Sequence, residues 1–163
     1  MDITFKIASP NDAVSIGSMV CKLLQELDER SHMPQQNLNR SATIKRCERF
    51  LMDGDYTAIL GFTGTKPIAT ATITETCALY AQGKIGIIQD FFVISDYRSQ
   101  GIGGKLLEEL KRYGQAQNWS RIELCTPPLP DFDRTLGFYK DQGLEPLSGC
   151  KMKLAVNDVD TLD

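Results

Sequence analysis

The segment Ile85 to Ile94, which reads IGIIQDFFVI, constrains the fold of this chain more than any other stretch, because it is almost unbroken in apolar residues. A strand with one wet face alternates apolar and polar side chains, whereas a strand buried on both faces does not. The run is therefore expected to be a central strand with helices on both sides. Gln89 and Asp90 interrupt it and need a separate reason.

The flanking sequence supplies the covering elements. Ile3, Phe5 and Ile7 alternate with Thr4 and Lys6, the period of a half-buried strand, and Ser9-Pro10-Asn11-Asp12 provides a turn and a helix start. Val14, Ile16, Met19, Val20, Leu23, Leu24 and Leu27 then keep one helical face apolar. Glu29 to Arg40 reads as a polar loop, and Thr43 to Asp53 as a helix ended by Gly54. Tyr56 to Phe62 and Pro67 to Glu75 read as antiparallel strands joined by the Gly61 to Lys66 turn. After the central run come a helix over Leu106 to Gln117, a strand over Arg121 to Cys125 and a helix over Phe132 to Gln142. A last strand is expected at Met152 and Leu154. The order β-α-α-β-β-β-α-β-α-β predicts helices on both faces of a mixed sheet, a three-layer α/β domain of α+β type. Its alternation breaks after the first strand, which excludes a doubly wound dinucleotide fold.

With 163 residues there is room for a single domain, expected over residues 1–156, followed by an acidic tail over 157–163. No apolar run approaches the ~20 residues of a membrane span, and the start carries no basic-then-apolar leader, so a cytoplasmic protein is expected. Its 5 cysteines form no CxxC pair, which points to buried free thiols rather than a metal site or a disulfide framework. A net charge of −3 argues against nucleic acid as a partner.

Chemistry concentrates after the central run. A strand, a glycine-rich turn and a helix, in that order, place free backbone N–H groups and the positive end of a helix dipole against an anion. Ser99 to Lys105, SQGIGGK, is such a turn. Gly101, Gly103 and Gly104 are expected to let backbone approach a ligand without a Cβ in the way, and Lys105 adds a point charge. The spacing matches neither GK[ST] nor GxGxxG, so on spacing alone a tight turn accounts for it equally.

The wider sequence from Ile88 to Leu107, IQDFFVISDYRSQGIGGKLL, resembles the [RQ]-x-x-G-x-[GA] signature of the GCN5-related N-acetyltransferases, with its preceding strand, aspartate-tyrosine turn and leucine pair. Ile7 to Ala13 is similar to the opening strand and first helix of that family, and Gly137 to Leu144 to its FYxxxGF segment. The resemblance implies a mixed, splayed central sheet and acetyl-CoA as co-substrate, with no metal. It implies that pantetheine amides bond to the backbone of Phe92 and Val93. The pyrophosphate would meet the backbone of Arg98, Ser99, Gln100, Gly101, Ile102, Gly103 and Gly104, near Lys105.

The same resemblance implies that Tyr139 is the general acid that protonates the leaving thiolate; the competing reading is a tyrosine that packs beside Phe138. Relatives often carry a basic glutamate where this chain has Gln89. Asp90 is a weak base candidate, since strand alternation turns it to the opposite face. Glu75, Glu123, Glu26 and Glu29 are further possible bases, and a neutral amine needs none. His32, the only histidine, reads as a solvated loop residue. Thr126 to Asp131, with its prolines, replaces a segment in which relatives have an asparagine.

The expected activity is acetyl transfer to a primary amine of a small molecule, peptide or protein. A noncatalytic CoA-binding sensor or interaction module is the alternative, and no membrane partner is expected. Pairing through an edge strand or the C-terminus would make a homodimer.

Overall fold

Residues 1–31 and 38–158 are described by the computed structural model. The opening alternation forms β1 (Ile3–Ile7), and a single 3-10 turn over Pro10–Asp12 leads into helix α1 (Ala13–Arg30). That start is a capping box: the Ser9 N–H donates to Asp12 Oδ2 at 2.8 Å, which satisfies a donor the helix itself cannot. Helix α2 (Arg40–Asp53) is capped by Asn39, whose Oδ1 accepts from the Ala42 N–H at 3.0 Å, and it ends at Gly54 with φ 76°. The expected polar loop is thus shorter at both ends, because the helical hydrogen bonding continues to Arg30 and resumes at Arg40. His32 lies outside the described residues.

Strands β2 (Thr57–Thr63), β3 (Lys66–Ala78) and β4 (Gly83–Val93) follow, then α3 (Ile102–Ala116), β5 (Arg121–Leu124) and α4 (Asp133–Asp141). The sheet order is β1-β2-β3-β4-β5, antiparallel throughout except for the parallel β4–β5 pair. It is the expected mixed sheet in three layers. Ala13, Ile16, Met19, Cys47, Leu60 and Phe92 form the core under α1 and α2. Ile68, Ile73, Ile88, Leu106, Leu110 and Tyr139 belong to the core under α3 and α4.

Two irregularities shape β4. Thr72 pairs with Asp90 while Ile73 pairs with Ile88, so Gln89 is an extra residue, a β-bulge. Strict alternation would put Ile88 and Phe91 on opposite faces; the bulge brings both to the α3/α4 core and sends Phe92 to the other. The second irregularity is that pairing with β5 runs from Ile85↔Arg121 to Ile88↔Leu124 and then stops. From Gln89 onward β4 has no strand on that side among the described residues.

Two expectations fail. Met152 and Leu154, expected as a last strand, lie in no strand and are 87% and 89% exposed, since alternation alone forms no strand without an edge to pair with. The cysteines are not uniformly buried either: Cys47 is, whereas Cys77, Cys125 and Cys150 are exposed. No helix among the described residues is long and apolar enough to cross a membrane.

Trp119 ties the parallel end of the sheet together. Its ring stacks edge-on with Tyr113 at 5.4 Å, and its Nε1–H donates to Glu75 Oε2 at 2.6 Å. Gly86 on β4 and Gly114 on α3 make the space for it: a Cβ at Gly86 would overlap the indole, and one at Gly114 would lie 2.6 Å from Cε3. Gly86→Ala is therefore expected to lower Tm by roughly 3–10 °C through overpacking, as measured by scanning calorimetry. An unchanged Tm would show that the indole moves aside without loss.

Candidate functional site

Where β4 and β5 part, a cleft of about 1220 Å³ opens, larger than the ~300–1,000 Å³ of most small-molecule sites. Its walls come from β4, the loop into α3, α4 and one stripe of α1.

The loop from Ser95 to Gly101 is built by local rules. A 3-10 turn over Ser95–Tyr97 stops the strand, and Ser99 (φ 60°) and Gly101 (φ 79°) then take left-handed conformations. Gly101 caps α3, and a residue with a Cβ would be strained there. The amides of the first turn of α3 have no partner within the helix, and Ile102, Gly103 and Gly104 all line the cleft. Lys105 and, from α4, Arg134 add positive charge to the lining, while Arg112 is paired with Glu109 and Glu108 also lines the cleft. An anion is favoured here by dipole, donors and cations together.

Gly103 and Gly104, which line the cleft, also have a packing reason that spacing does not predict. A Cβ on Gly103 would lie 3.0 Å from Phe138 Cζ, and one on Gly104 would lie 3.2 Å from Gln142 Oε1. Their missing side chains let α4 approach α3, so the glycine pair sets the cleft wall by packing. Of the expected loop residues, Gln100 does not line the cleft; its amide donates to the Asp96 carbonyl at 3.2 Å.

Arg98 lines the cleft, yet its side chain is already engaged. Nε donates to the Val93 carbonyl at 2.8 Å, Nη2 donates to both Glu26 oxygens at 2.9 Å, and the guanidinium lies 5.2 Å from the Phe92 ring centre. Phe92 and Val93 line the cleft as expected. A pantetheine amide that bonds to the Val93 carbonyl would share that oxygen with Arg98, which its second lone pair permits.

Tyr139 is 7% exposed and lines the cleft, with its ring 5.9 Å from Phe91, edge-on, and 5.2 Å from Phe138. Its hydroxyl has no hydrogen-bond partner among the described residues. Burial pushes the phenol up to about 12.

The candidate bases scatter. Asp90 is not part of the cleft lining, which corrects its candidacy as a base. It accepts from Thr72 Oγ1 at 2.6 Å, and its charge contributes to raising the Cys47 thiol on α2 and the Tyr56 phenol, after their own burial. Burial raises the Asp90 carboxyl above its ordinary range, and the Thr72 hydrogen bond only partly opposes this. Glu75 is held by Trp119 and Lys84, and Glu123 by Tyr80 and Arg121, both in the part of the sheet where β4 and β5 are still paired. Glu29 accepts from Gln25. Glu26 does line the cleft, but as the partner of Arg98. Gln89 donates to Thr74 Oγ1 at 3.0 Å. Sequence reasoning missed Arg30 and Phe132, which meet across the cleft at 4.4 Å; nothing local in either segment signals that contact.

Comparison with known proteins is consistent with this geometry. A family model described as the acetyltransferase (GNAT) family matches residues 20–144. Among solved structures, a possible acetyltransferase from Clostridium difficile 630 superposes with a TM-score of 0.78 at 16% identity, over 95% of this chain and 99% of that one. A ribosomal-protein-alanine N-acetyltransferase from Brucella melitensis biovar Abortus 2308 gives 0.70 at 16% identity, over 94% and 100%. A predicted acetyltransferase with acetyl-CoA from Clostridium acetobutylicum gives 0.72 at 17% identity, over 96% of each chain.

The Asp90 carboxyl yields a test of its structural role. Its proton is held more tightly in the folded than in the unfolded chain, so stability falls as pH climbs from the ordinary aspartate value of ~3.9 through the raised one. Above that the loss is present in full. Asp90→Asn, which can still accept from Thr72, is expected to raise Tm at pH 7.5, with the gain vanishing below about pH 4. A lower Tm at pH 7.5 would mean that the charge is needed in the fold.

Proposed function

Because this chain belongs to the acetyltransferase (GNAT) family, we propose that it transfers the acetyl group of acetyl-CoA to a primary amine of a small molecule, peptide or protein, by direct attack in a ternary complex. The observation that supports this reading most directly is that the α3 N-terminus, the β4 residues beyond its pairing with β5, and Tyr139 all line one cleft. Acetyl-CoA supplies the activated carbonyl and a thiolate leaving group; what the protein contributes is orientation and charge placement.

The first turn of α3, with Lys105 nearby, holds the phosphates through backbone N–H groups, while the side chain of Arg98 stays with Val93 and Glu26. The backbone of Phe92 and Val93 aligns the pantetheine arm along β4. The amine nitrogen bonds to the carbonyl carbon as the carbon–sulfur bond breaks; the nitrogen's surplus proton passes to solvent to leave the amide, and CoA departs as the thiolate, which solvent can protonate. Tyr139 then donates to the sulfur as negative charge grows on it. Held at about 12, the phenol keeps its proton over the whole physiological range. An ordinary thiol, near ~8.5, is the stronger acid, so the phenol mainly stabilises the developing thiolate by a hydrogen bond. With Gln89 in place of a carboxylate, the ammonium proton of the acceptor leaves to solvent before attack, and rate rises with the fraction of free amine.

Binding is tested first. Acetyl-CoA at ~100 times its dissociation constant is expected to stabilise the fold by about 2.7 kcal/mol, a rise of roughly 5–10 °C in Tm. No heat of binding at millimolar CoA would remove the cofactor assignment. The chemistry is tested by Tyr139→Phe in single turnover with an accepted amine: a loss on the order of 10²-fold in rate is expected, with little change in acetyl-CoA affinity. A parent rate from pH 6 to 9 would return Tyr139 to a packing role.

A further inference from the structure

The last two turns of α1 touch both sides of the cleft. Leu23, Glu26, Leu27 and Arg30 recur at helical spacing, so a single stripe of α1 faces the opening. On one side Glu26 receives two hydrogen bonds from Arg98, which is itself fixed to the Val93 carbonyl and stacked on Phe92. That side is the end of β4 and the loop into α3. On the other side the Arg30 guanidinium lies 4.4 Å from the ring centre of Phe132, which is 3% exposed and immediately precedes α4. The two contacts straddle the gap that begins where β4 and β5 stop pairing.

We propose that the end of α1 is a strap across the split sheet, with Glu26 and Arg30 as positioning residues that hold it to the cofactor rim and to the α4 rim, so that filling the 98–104 loop tightens α1 over the cleft. A ligand shifts a conformational equilibrium only through contacts that differ between its states. Here that contact is Arg98. Its backbone belongs to the loop that would close on phosphate, and its side chain is bound to Val93 and Phe92, so ordering the loop fixes the anchor that Glu26 grips. The Arg98–Glu26 pair is 38% and 30% exposed, so its removal shifts an equilibrium by no more than about fivefold. This inference rests on the cofactor reading above.

Hydrogen–deuterium exchange separates the two. Wild-type, Glu26→Gln and Arg30→Gln proteins are compared with and without saturating CoA. In wild type, CoA is expected to slow exchange by about tenfold in the first turn of α3 and about fivefold over residues 23–30. In both variants the slowing at α3 is expected to remain, while that over 23–30 falls below about twofold. Undiminished slowing over 23–30 in either variant overturns the strap, as does wild-type protection confined to α3. Absence of protection at α3 in wild type is a failure of the cofactor reading itself, and the strap falls with it.

Discussion

The organisation of this protein depends on where one ladder of hydrogen bonds ends. β4 and β5 pair from Ile85↔Arg121 to Ile88↔Leu124 and then diverge, so the C-terminal half of β4, an interior strand of an open sheet, has one flank without a partner strand among the described residues. An unpaired strand flank is normally a liability, because its backbone groups invite another strand. Here it lies within a cleft, walled by α1, α3 and α4, where another chain has poor access.

The bulge at Gln89 falls at the same point as the split. One extra residue rotates the remainder of β4, so Phe91 and Val93 pack toward α3 and α4, with Phe92 toward α1. The rotation also leaves Asp90 under α2, bonded to Thr72 and close enough to Cys47 and Tyr56 to raise both. A polar residue in the middle of an apolar strand is thereby explained by a local partner rather than by chemistry in the cleft. A buried carboxylate with one hydrogen bond remains costly, which is why its proton is held more tightly than usual.

Packing on the opposite face positions α3, whose N-terminus lines the cleft. Phe138 occupies the space above Gly103, and Gln142 lies above Gly104, so the α3 N-terminus and Tyr139 are held in register through the α3–α4 contact. The glycine-rich turn therefore has two reasons for its composition. Gly101 supplies a left-handed cap, whereas Gly103 and Gly104 admit a neighbouring helix. At the far end, Gly86 and Gly114 admit Trp119 in the same way. Small residues fix the spacing of α3 at both of its ends, and the cleft inherits that spacing.

By itself the sequence determined the layer order, the helices and nearly all the strands, the glycine-rich turn that opens α3 and the segment that carries Tyr139. Each of these is a local property, written in hydrophobic period, capping residues and a short motif. Where local evidence was all there was, it also misled: Met152 and Leu154 alternate as a strand does but have no edge to join. Tertiary structure alone decided which face Asp90 occupies, since one bulged residue reverses alternation and periodicity does not announce it. It alone decided that Gly103 serves Phe138, and that Glu26 and Arg30 reach Arg98 and Phe132. Those partners are distant in sequence, and a contact between distant residues is fixed by strand register and helix placement, which no short window of residues contains.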